Sequence, residues 1–220
     1  MGSTSKKEAG DPLRWRAATP GIPDDYFERT DRVPITKEEV RAIQISKARL
    51  YPGCSILDVG CGSGSITVEA AIQAGPGGAV TAIDRDEAAV ELTRRNLERF
   101  NLKNVSVLCG DALGVIGSGG GGVDGQIPTA SQDAAVIGGT GGATADIIKS
   151  CARVLKPRGR IVIGTILIET LHSVLVSMDN MPFGDVDLTQ VTISKSRRTS
   201  TGTMMLARNP VVVISATRLP

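Results

Sequence analysis

The sequence is poor in aromatic residues, which make up 3% of its 220 residues and comprise one Trp, two Tyr and three Phe. Its formal net charge is only +2. Proteins that bind nucleic acids stack bases on aromatic side chains and neutralise phosphates with basic patches. The shortage of both argues against nucleic acid as the main partner, although it does not exclude a local basic patch.

Side chains that commonly bind metals are also few. The chain has a single histidine, and its four cysteines at positions 54, 61, 109 and 151 form no Cys-x-x-Cys pair. This pattern predicts no metal site and is typical of proteins kept in a reducing cytosol. His172 falls in a helical stretch, where we expect a surface or capping role rather than general-base chemistry.

Long apolar runs and a secretory signal peptide are absent as well. We therefore expect a cytoplasmic protein with no membrane contact. The first twenty residues are polar, with basic side chains around Trp15. They predict a disordered tail over 1–20, followed by a single domain over 21–220.

Short apolar runs alternate with amphipathic segments from about residue 36 onward. This alternation predicts an α/β fold with a mostly parallel sheet and helices on both faces. The first helix is expected to begin at Thr36, where Thr36 and Glu39 form a capping box. Two last strands are expected over 185–193 and 203–216, with a kink at Asn209-Pro210.

A glycine-rich loop follows the first strand. The spacing Asp58-x-Gly60-x-Gly62-x-Gly64 ends in a helix, and side-chain-free backbone at a helix N-terminus lets a small ligand approach closely. A dinucleotide fingerprint would need its third glycine one residue later, where Ser65 stands. The loop resembles the cofactor loop of class I S-adenosylmethionine (SAM) methyltransferases. That resemblance implies a Rossmann-like seven-stranded sheet and SAM contacts from Gly60, Cys61, Gly62, Ser63 and Gly64.

Acidic residues end three successive strands, at Asp58, Asp84 and Asp111. In open α/β sheets, ligands bind above the carboxyl ends of the strands. We expect Asp84 to accept both ribose hydroxyls of SAM, and Asp111 with Ala112 to border the adenine. Each of these acids, taken alone, could instead cap a helix or form a turn. Cys61, inside the loop, is interpreted as a small residue that fills a tight turn rather than as a nucleophile.

A second glycine run occupies residues 138–142, after the fourth predicted strand. It lacks the Asn/Asp-Pro-Pro-aromatic motif of many methyltransferases that act on nucleic-acid amines. Its bare backbone leaves room for a bulky acceptor and offers N–H groups to an anion. We therefore take Gly138 and Gly139 as candidate substrate contacts, while a tight turn would explain many of these glycines equally well.

Three further stretches carry a more specific resemblance, which covers roughly residues 20 to 217. The chain is similar to the cobalamin-pathway family of decarboxylating methyltransferases that act at carbon 15 of precorrin-6B or its cobalt form. The stretches are IPDDYF at 22–27 with VPITKEEVR at 33–41, VIGGTGG at 136–142, and GTMM at 202–205 with RNPV at 208–211.

This family resemblance implies methylation of carbon 15 with loss of the carbon 12 acetate carboxyl group, and S-adenosylhomocysteine as the second product. It implies that Thr36 approaches the cofactor and that the protein is a homotetramer. The sequence leaves open whether a separate carbon 5 methyltransferase of the same pathway is a further partner. The implied substrate is a tetrapyrrole rich in carboxylates. Arg197 and Arg198 are the candidate side chains for binding those carboxylates, although an ordinary solvated turn fits them as well. No residue stands out as a catalytic base.

Two alternatives stay open on the sequence alone. One is an RNA methyltransferase of the tRNA adenine-N1 class, which shares the glycine loop and could use the same basic turn. The other is a SAM-binding module without catalysis. The glycine-rich stretch over 117–131 is longer than the family's usual connection, and we expect it to form a flexible surface loop.

Overall fold

The computed structural model describes residue 15, residue 17 and residues 19–117 and 125–220. Nine strands are assigned within these residues: β1 (Ser55–Val59), β2 (Ala79–Asp84), β3 (Val105–Cys109), β4 (Gln132–Ile137), β5 (Leu155–Thr165), β6 (Phe183–Val191), β7 (Ser194–Arg198), β8 (Thr203–Ala207) and β9 (Val211–Arg218). The helices are α1 (Glu38–Ala48), α2 (Ser65–Ala74), α3 (Glu87–Arg99), α4 (Ala112–Ile116), α5 (Thr144–Val154) and α6 (Ile168–Asn180).

Seven strands form one sheet in the order β3-β2-β1-β4-β5-β9-β6. Strands β1 to β5 are parallel, and β9 runs antiparallel between β5 and β6. The chain moves from β1 outward to β3 and then returns to place β4 on the other side of β1. This topological switch point is where open α/β sheets bind ligands. The predicted α/β fold with a seven-stranded sheet is confirmed.

The helices cover both faces of the sheet. Side chains alternate along each strand, so that Leu57 belongs to one apolar cluster and its neighbour Ile56 to another. Helices α4, α5 and α6 pack in the first cluster, whereas α1 and α2 pack in the second. No helix among the described residues is long and apolar enough to cross a membrane.

The predicted capping box at the start of α1 is wrong. The helix begins at Glu38, its N-cap is Lys37, and the cap side chain makes no hydrogen bond. Glu39 does not reach back because its carboxylate pairs with Lys195. Asp24 supplies the missing acceptor, since its Oδ1 lies 3.0 Å from the Glu38 backbone nitrogen.

The C-terminal prediction also needs correction, because four strands replace the two expected. β7 and β8 pair only with each other, in a two-stranded sheet apart from the main one. The expected kink at Asn209-Pro210 is a break between β8 and β9. Proline has no N–H to donate to a strand ladder, so the ladder does not continue through it.

The segments between and before the main elements differ in detail from what the sequence predicts. The short helix α4 was not predicted, and it begins directly after Asp111. Residues 156–160 form an irregularity within β5, because Gln132 pairs with Leu155 while Ala134 pairs with Arg160. Much of the predicted loop over 117–131 and most of the predicted tail over 1–20 lie outside the described residues. Trp15, which is described, packs edge-on against Tyr26 at a centroid distance of 5.6 Å.

Candidate functional site

A cleft of about 1060 Å³ opens above the carboxyl ends of the parallel strands, at the switch point. The loops after β1, β2, β3, β4 and β5 line it, and the segment before α1 closes one side. The predicted cofactor residues in its lining are Thr36, Gly60, Cys61, Gly62, Ser63, Asp84, Asp111 and Ala112. Gly64 lies just behind them as the N-cap of α2. The fold therefore brings together residues that are up to 76 positions apart in the chain, from 36 to 112.

The loop over 60–64 is held by its own backbone and by the next strand. The N–H groups of Gly60 and Cys61 both donate to the Ile83 carbonyl, at 2.8 and 3.0 Å. Gly60 has a φ of +74°, and a Cβ there would lie 2.7 Å from the Gly139 nitrogen. Glycine is needed at position 60 both for its backbone conformation and for this close approach of the two glycine loops.

Helix α3 fixes the other half of the same loop. Thr93 Oγ1 donates to the Gly62 carbonyl at 3.0 Å, and Asn96 Nδ2 donates to the Ser63 carbonyl at 2.8 Å. Gly64 has a φ of +75°, and a Cβ there would lie 2.9 Å from the Thr93 side chain. The loop thus presents a rigid surface of bare backbone to the cleft.

Asp84 is oriented by main-chain donors. Its Oδ2 accepts the Gly62 N–H at 2.9 Å, and its Oδ1 accepts the Asp86 N–H at 3.0 Å. An ionised carboxylate has about four acceptor positions. Each oxygen therefore keeps capacity for a ligand hydroxyl, which fits the predicted contact to a ribose.

Asp58 differs from the other two acids because it does not line the cleft. Its carboxylate is buried beneath the loop and accepts a hydrogen bond from Thr67 Oγ1 at 2.5 Å. Burial is the main reason that the pKa of Asp58 is raised to about 7; the nearby charge of Asp84 also raises it, and hydrogen bonds from Thr67 lower it. Asp58 therefore ties β1 to α2 and supports the loop from below.

Asp111 both caps a helix and lines the cleft. Its Oδ1 caps α4 by accepting the Leu113 and Gly114 N–H groups at 3.0 and 3.4 Å. Asp111 and Ala112 also line the cleft at the end of β3. The helix cap explains the acid without the ligand, so its contact to adenine stays a prediction.

Thr36 reaches the cleft because the segment before α1 is anchored by a buried ion pair. Arg41 Nε lies 2.6 Å from Glu69 Oε1, and both side chains are almost fully buried. The same guanidinium donates to the Thr36 and Ile22 carbonyls. The hydrogen bond from this guanidinium to the Thr36 carbonyl holds Thr36 at the rim of the cleft.

Cys61 is buried in the loop, where desolvation raises the pKa of its thiol to about 12. Thr93 Oγ1 lies 3.4 Å from its sulfur. A thiol of that pKa carries almost no thiolate at neutral pH, so the geometry supports a space-filling role.

The candidate substrate residues separate into two groups. Gly138 and Gly139 line the cleft opposite Gly60. Arg197 and Arg198 lie on β7, exposed, and neither is among the residues that line the cleft. In a single chain the structure does not bring them to the site, and their role stays a prediction.

Arg85 is a cationic residue that the sequence reasoning missed. Its guanidinium reaches from the end of β2 to the second glycine run, where a Cβ on Gly141 would lie 2.9 Å from Nη1. Within the described residues it has no hydrogen bond or ion pair, whereas Arg32, also at the cleft, pairs with Asp86. Its position directly after Asp84 at a strand end was the available signal.

Comparison with known proteins adds to this geometry. Residues 25–218 match a family described as "Precorrin methyltransferase domain". A Saccharolobus solfataricus protein named probable cobalt-precorrin-6B C(15)-methyltransferase (decarboxylating) is 40% identical over 204 residues, which cover 92% of this chain and 98% of that protein. A Sulfurisphaera tokodaii protein of the same name is 42% identical over 195 residues, which cover 89% and 96%. The crystal structure of precorrin 8W decarboxylase from Methanobacterium thermoautotrophicum matches with a TM-score of 0.79 at 36% identity, over 89% of this chain and 98% of that one.

Proposed function

The chain belongs to the precorrin methyltransferase family, and from this we propose that it methylates carbon 15 of cobalt-precorrin-6B and removes the carboxyl group of the carbon 12 acetate. It is a SAM-dependent C-methyltransferase. The observation that carries the proposal is the meeting of two glycine loops at the switch point, beside the oriented carboxylate of Asp84.

The residues present fit SAM. The loop over 60–64 is a cradle that a Cβ on Gly60 or Gly64 would disrupt, and Asp84 retains acceptor capacity beside it. When bound, SAM supplies an electrophilic methyl group on a sulfonium sulfur. The protein's part is then to align the donor and acceptor and to exclude water, which can supply much of the rate acceleration of a direct displacement. We accordingly assign no catalytic base.

The acceptor side of the cleft suits a large anionic ring. The second glycine run adds no side chains, and Arg85 projects across it without a partner among the described residues. A guanidinium is well shaped to bind a carboxylate through two hydrogen bonds. We therefore place a peripheral carboxylate of the tetrapyrrole at Arg85.

The Arg85 assignment predicts a selective defect. Arg85→Gln should raise the KM for the tetrapyrrole about 10-fold or more, the size expected for one lost charge-assisted hydrogen bond. The affinity for SAM should change little. Arg94→Gln is the matched control, because Arg94 is exposed on α3 and does not line the cleft. A weaker affinity for SAM with an unchanged KM would assign Arg85 to the cofactor instead.

The test of the function itself uses SAM labelled in its methyl group, with either cobalt-precorrin-6B or tRNA as the acceptor. Mass spectrometry should find one methyl gained and one carbon dioxide lost on the tetrapyrrole. Label on tRNA and none on the tetrapyrrole would refute the proposal in favour of the RNA alternative. A protein that binds SAM and transfers no label to any acceptor would match the non-catalytic alternative.

We also propose that the hairpin of β7 and β8 joins copies of the chain into a homotetramer. Its strand β8 exposes Met204, Met205 and Leu206, although a two-stranded hairpin is marginally stable on its own. A second copy would cover these side chains. Light scattering of Met205→Lys should show smaller assemblies than the parent protein, and an unchanged mass would exclude the hairpin as the contact.

A further inference from the structure

The side chain of Gln44, on α1, is the least explained polar group in the described part of the cleft. It is 3% exposed, and its Oε1 is buried without a hydrogen-bond partner. Neither end of the amide bonds to a described residue. Buried polar groups are nearly always satisfied in native proteins, so an unsatisfied one that faces a cleft points to a ligand.

Other buried atoms without a partner have ordinary explanations. Glu39 Oε2 and Arg208 Nη1 face each other at 4.0 Å, and the other oxygen of Glu39 pairs with Lys195. Arg153 Nε belongs to a guanidinium whose other two nitrogens donate to Thr129 and Ile116. Among the buried atoms without a partner in the described part of the chain, the amide oxygen of Gln44 has no such explanation.

The amide lies at the acceptor end of the cleft. It rests against β5, where a Cβ on Gly164 would come within 2.1 Å of Gln44 Nε2. In the sheet order, β5 lies two strands beyond β1, on the side away from β2 and β3 that carry Asp84 and Asp111. Gln44 therefore lies on the opposite side of the switch point from the predicted nucleoside contacts Asp84 and Asp111.

The strands beside this amide present uncharged residues to the cleft, whereas its charged residues lie on the segment before α1, at the ends of β2 and β3 and at the start of α6. The cleft residues from β1, β5 and β9 are Val59, Gly164, Thr165 and Val211, and Gly138 follows β4. A carboxylate placed here is stripped of water. As carbon dioxide leaves, the negative charge of the carboxylate spreads into the ring and is neutralised there. Desolvation therefore raises the free energy of the bound carboxylate more than that of the transition state. A cationic partner would instead hold the charge in place.

Resting on the proposed function, we propose that Gln44 is the positioning residue for the carboxyl group that leaves as carbon dioxide. A half-turn of the amide exchanges its oxygen and nitrogen, so that an N–H takes the place of the unpaired Oε1 and donates to that carboxylate. Methyl transfer comes first: the ring carbon takes the methyl group, the donor sulfur keeps the electron pair, and the ring becomes cationic. The bond to the carboxyl carbon then breaks, carbon dioxide leaves, and the electron pair of that bond neutralises the ring. Water protonates the methylene carbon as the ring releases one proton, so no oxidant or reductant is needed.

The experiment compares Gln44→Met, a variant of similar size without hydrogen bonds, with the parent enzyme. Product masses after incubation with SAM and cobalt-precorrin-6B separate the methylated compound that keeps its carboxyl group from the final product. We expect the ratio of final to carboxyl-retaining product to fall about 10- to 100-fold, the equivalent of one hydrogen bond to a charged group. The affinity for SAM should stay within about twofold.

Two further measurements exclude a merely structural role. The melting temperature of Gln44→Met without ligands should equal or exceed that of the parent, because a buried unpaired amide is removed. Gln44→Glu, which adds a negative charge, should lose decarboxylation more completely. Gln190→Met is the matched control, since Gln190 is exposed on β6.

Each other outcome overturns the inference in a distinct way. An unchanged product ratio in Gln44→Met would show that the amide does not position the carboxyl group. Weaker SAM binding would assign the amide to the cofactor, and a lower melting temperature with both steps equally slowed would make it structural. If the parent enzyme itself makes no product from cobalt-precorrin-6B, the proposed function fails, and this inference fails with it.

Discussion

Asp58 allows a quantitative test of how the cofactor loop is supported. Its side chain is 2% exposed, and burial raises its pKa from 3.8 to about 7. The folded protein therefore holds a proton that the unfolded chain releases between these two pH values. The free energy of unfolding consequently falls as the pH rises through this window, and the full penalty is present above pH 7. At 1.36 kcal/mol per pKa unit, that penalty is roughly 4 kcal/mol.

Asp58→Asn is the perturbation that removes this titration. An asparagine keeps the shape and can still accept the hydrogen bond from Thr67, which lies 2.5 Å away in the parent. We expect the variant to be the more stable protein at pH 8. Removing the buried charge should add up to about 4 kcal/mol to the free energy of unfolding, and the unpaired amide N–H of asparagine should subtract about 1–3 kcal/mol. Between pH 8 and pH 5.5, the difference should shrink by about 2 kcal/mol, because the parent regains stability as Asp58 takes up its proton.

Urea denaturation followed by circular dichroism across this pH range measures the difference. Asp133→Asn is the control with the opposite sign. Burial would raise the pKa of Asp133, but hydrogen bonds from Lys156, the Ser55 N–H and Tyr51 lower it. The free energy of unfolding of the parent should therefore exceed that of Asp133→Asn at neutral pH, and this difference should be lost as the pH falls through the range in which carboxyl groups are protonated. Parallel stability curves for the parent and Asp58→Asn would refute the reasoning.

Three further changes test the site and its supports. Gly60→Ala should destabilise the protein by about 1–3 kcal/mol and abolish SAM binding, because its Cβ would collide with the second glycine loop. Denaturation measures the first effect and calorimetry the second. Gly53→Ala is the control for backbone strain alone, because Gly53 has a positive φ but no neighbouring atom that a Cβ would meet. Asp84→Asn should weaken SAM binding in calorimetry about 10-fold or more, since the amide replaces an acceptor by a donor, and an unchanged affinity would remove Asp84 from the cofactor site. Arg41→Met should lower the free energy of unfolding by about 3–5 kcal/mol, because the buried Glu69 carboxylate keeps the Gly21 and Ile22 N–H groups but loses its cation. A stability loss under 1 kcal/mol would contradict this reasoning.

The strands and helices around the cofactor were predictable because their signals are local. The short apolar runs of the parallel strands, the acid at the end of β2 and the glycines after β1 are all signals that extend over a few residues. The start of α1 and the path after β6 were less predictable. In the first case Asp24, from a separate segment, accepts a hydrogen bond from the first N–H of the helix. In the second case β7 and β8 pair with each other instead of joining the main sheet.

By itself, the sequence determined the kind of cofactor loop, the alternation of strands and helices and the family, since each depends on residue type at short spacing. The tertiary structure alone decided that Gly60 meets Gly139, that Arg85 rather than Arg197 stands at the cleft, and that Gln44 lies unpaired against Gly164. These contacts depend on strand order and on helix placement across the sheet. No local pattern encodes them, because the partners are brought together only when the two halves of the sheet are joined at β1 and β4.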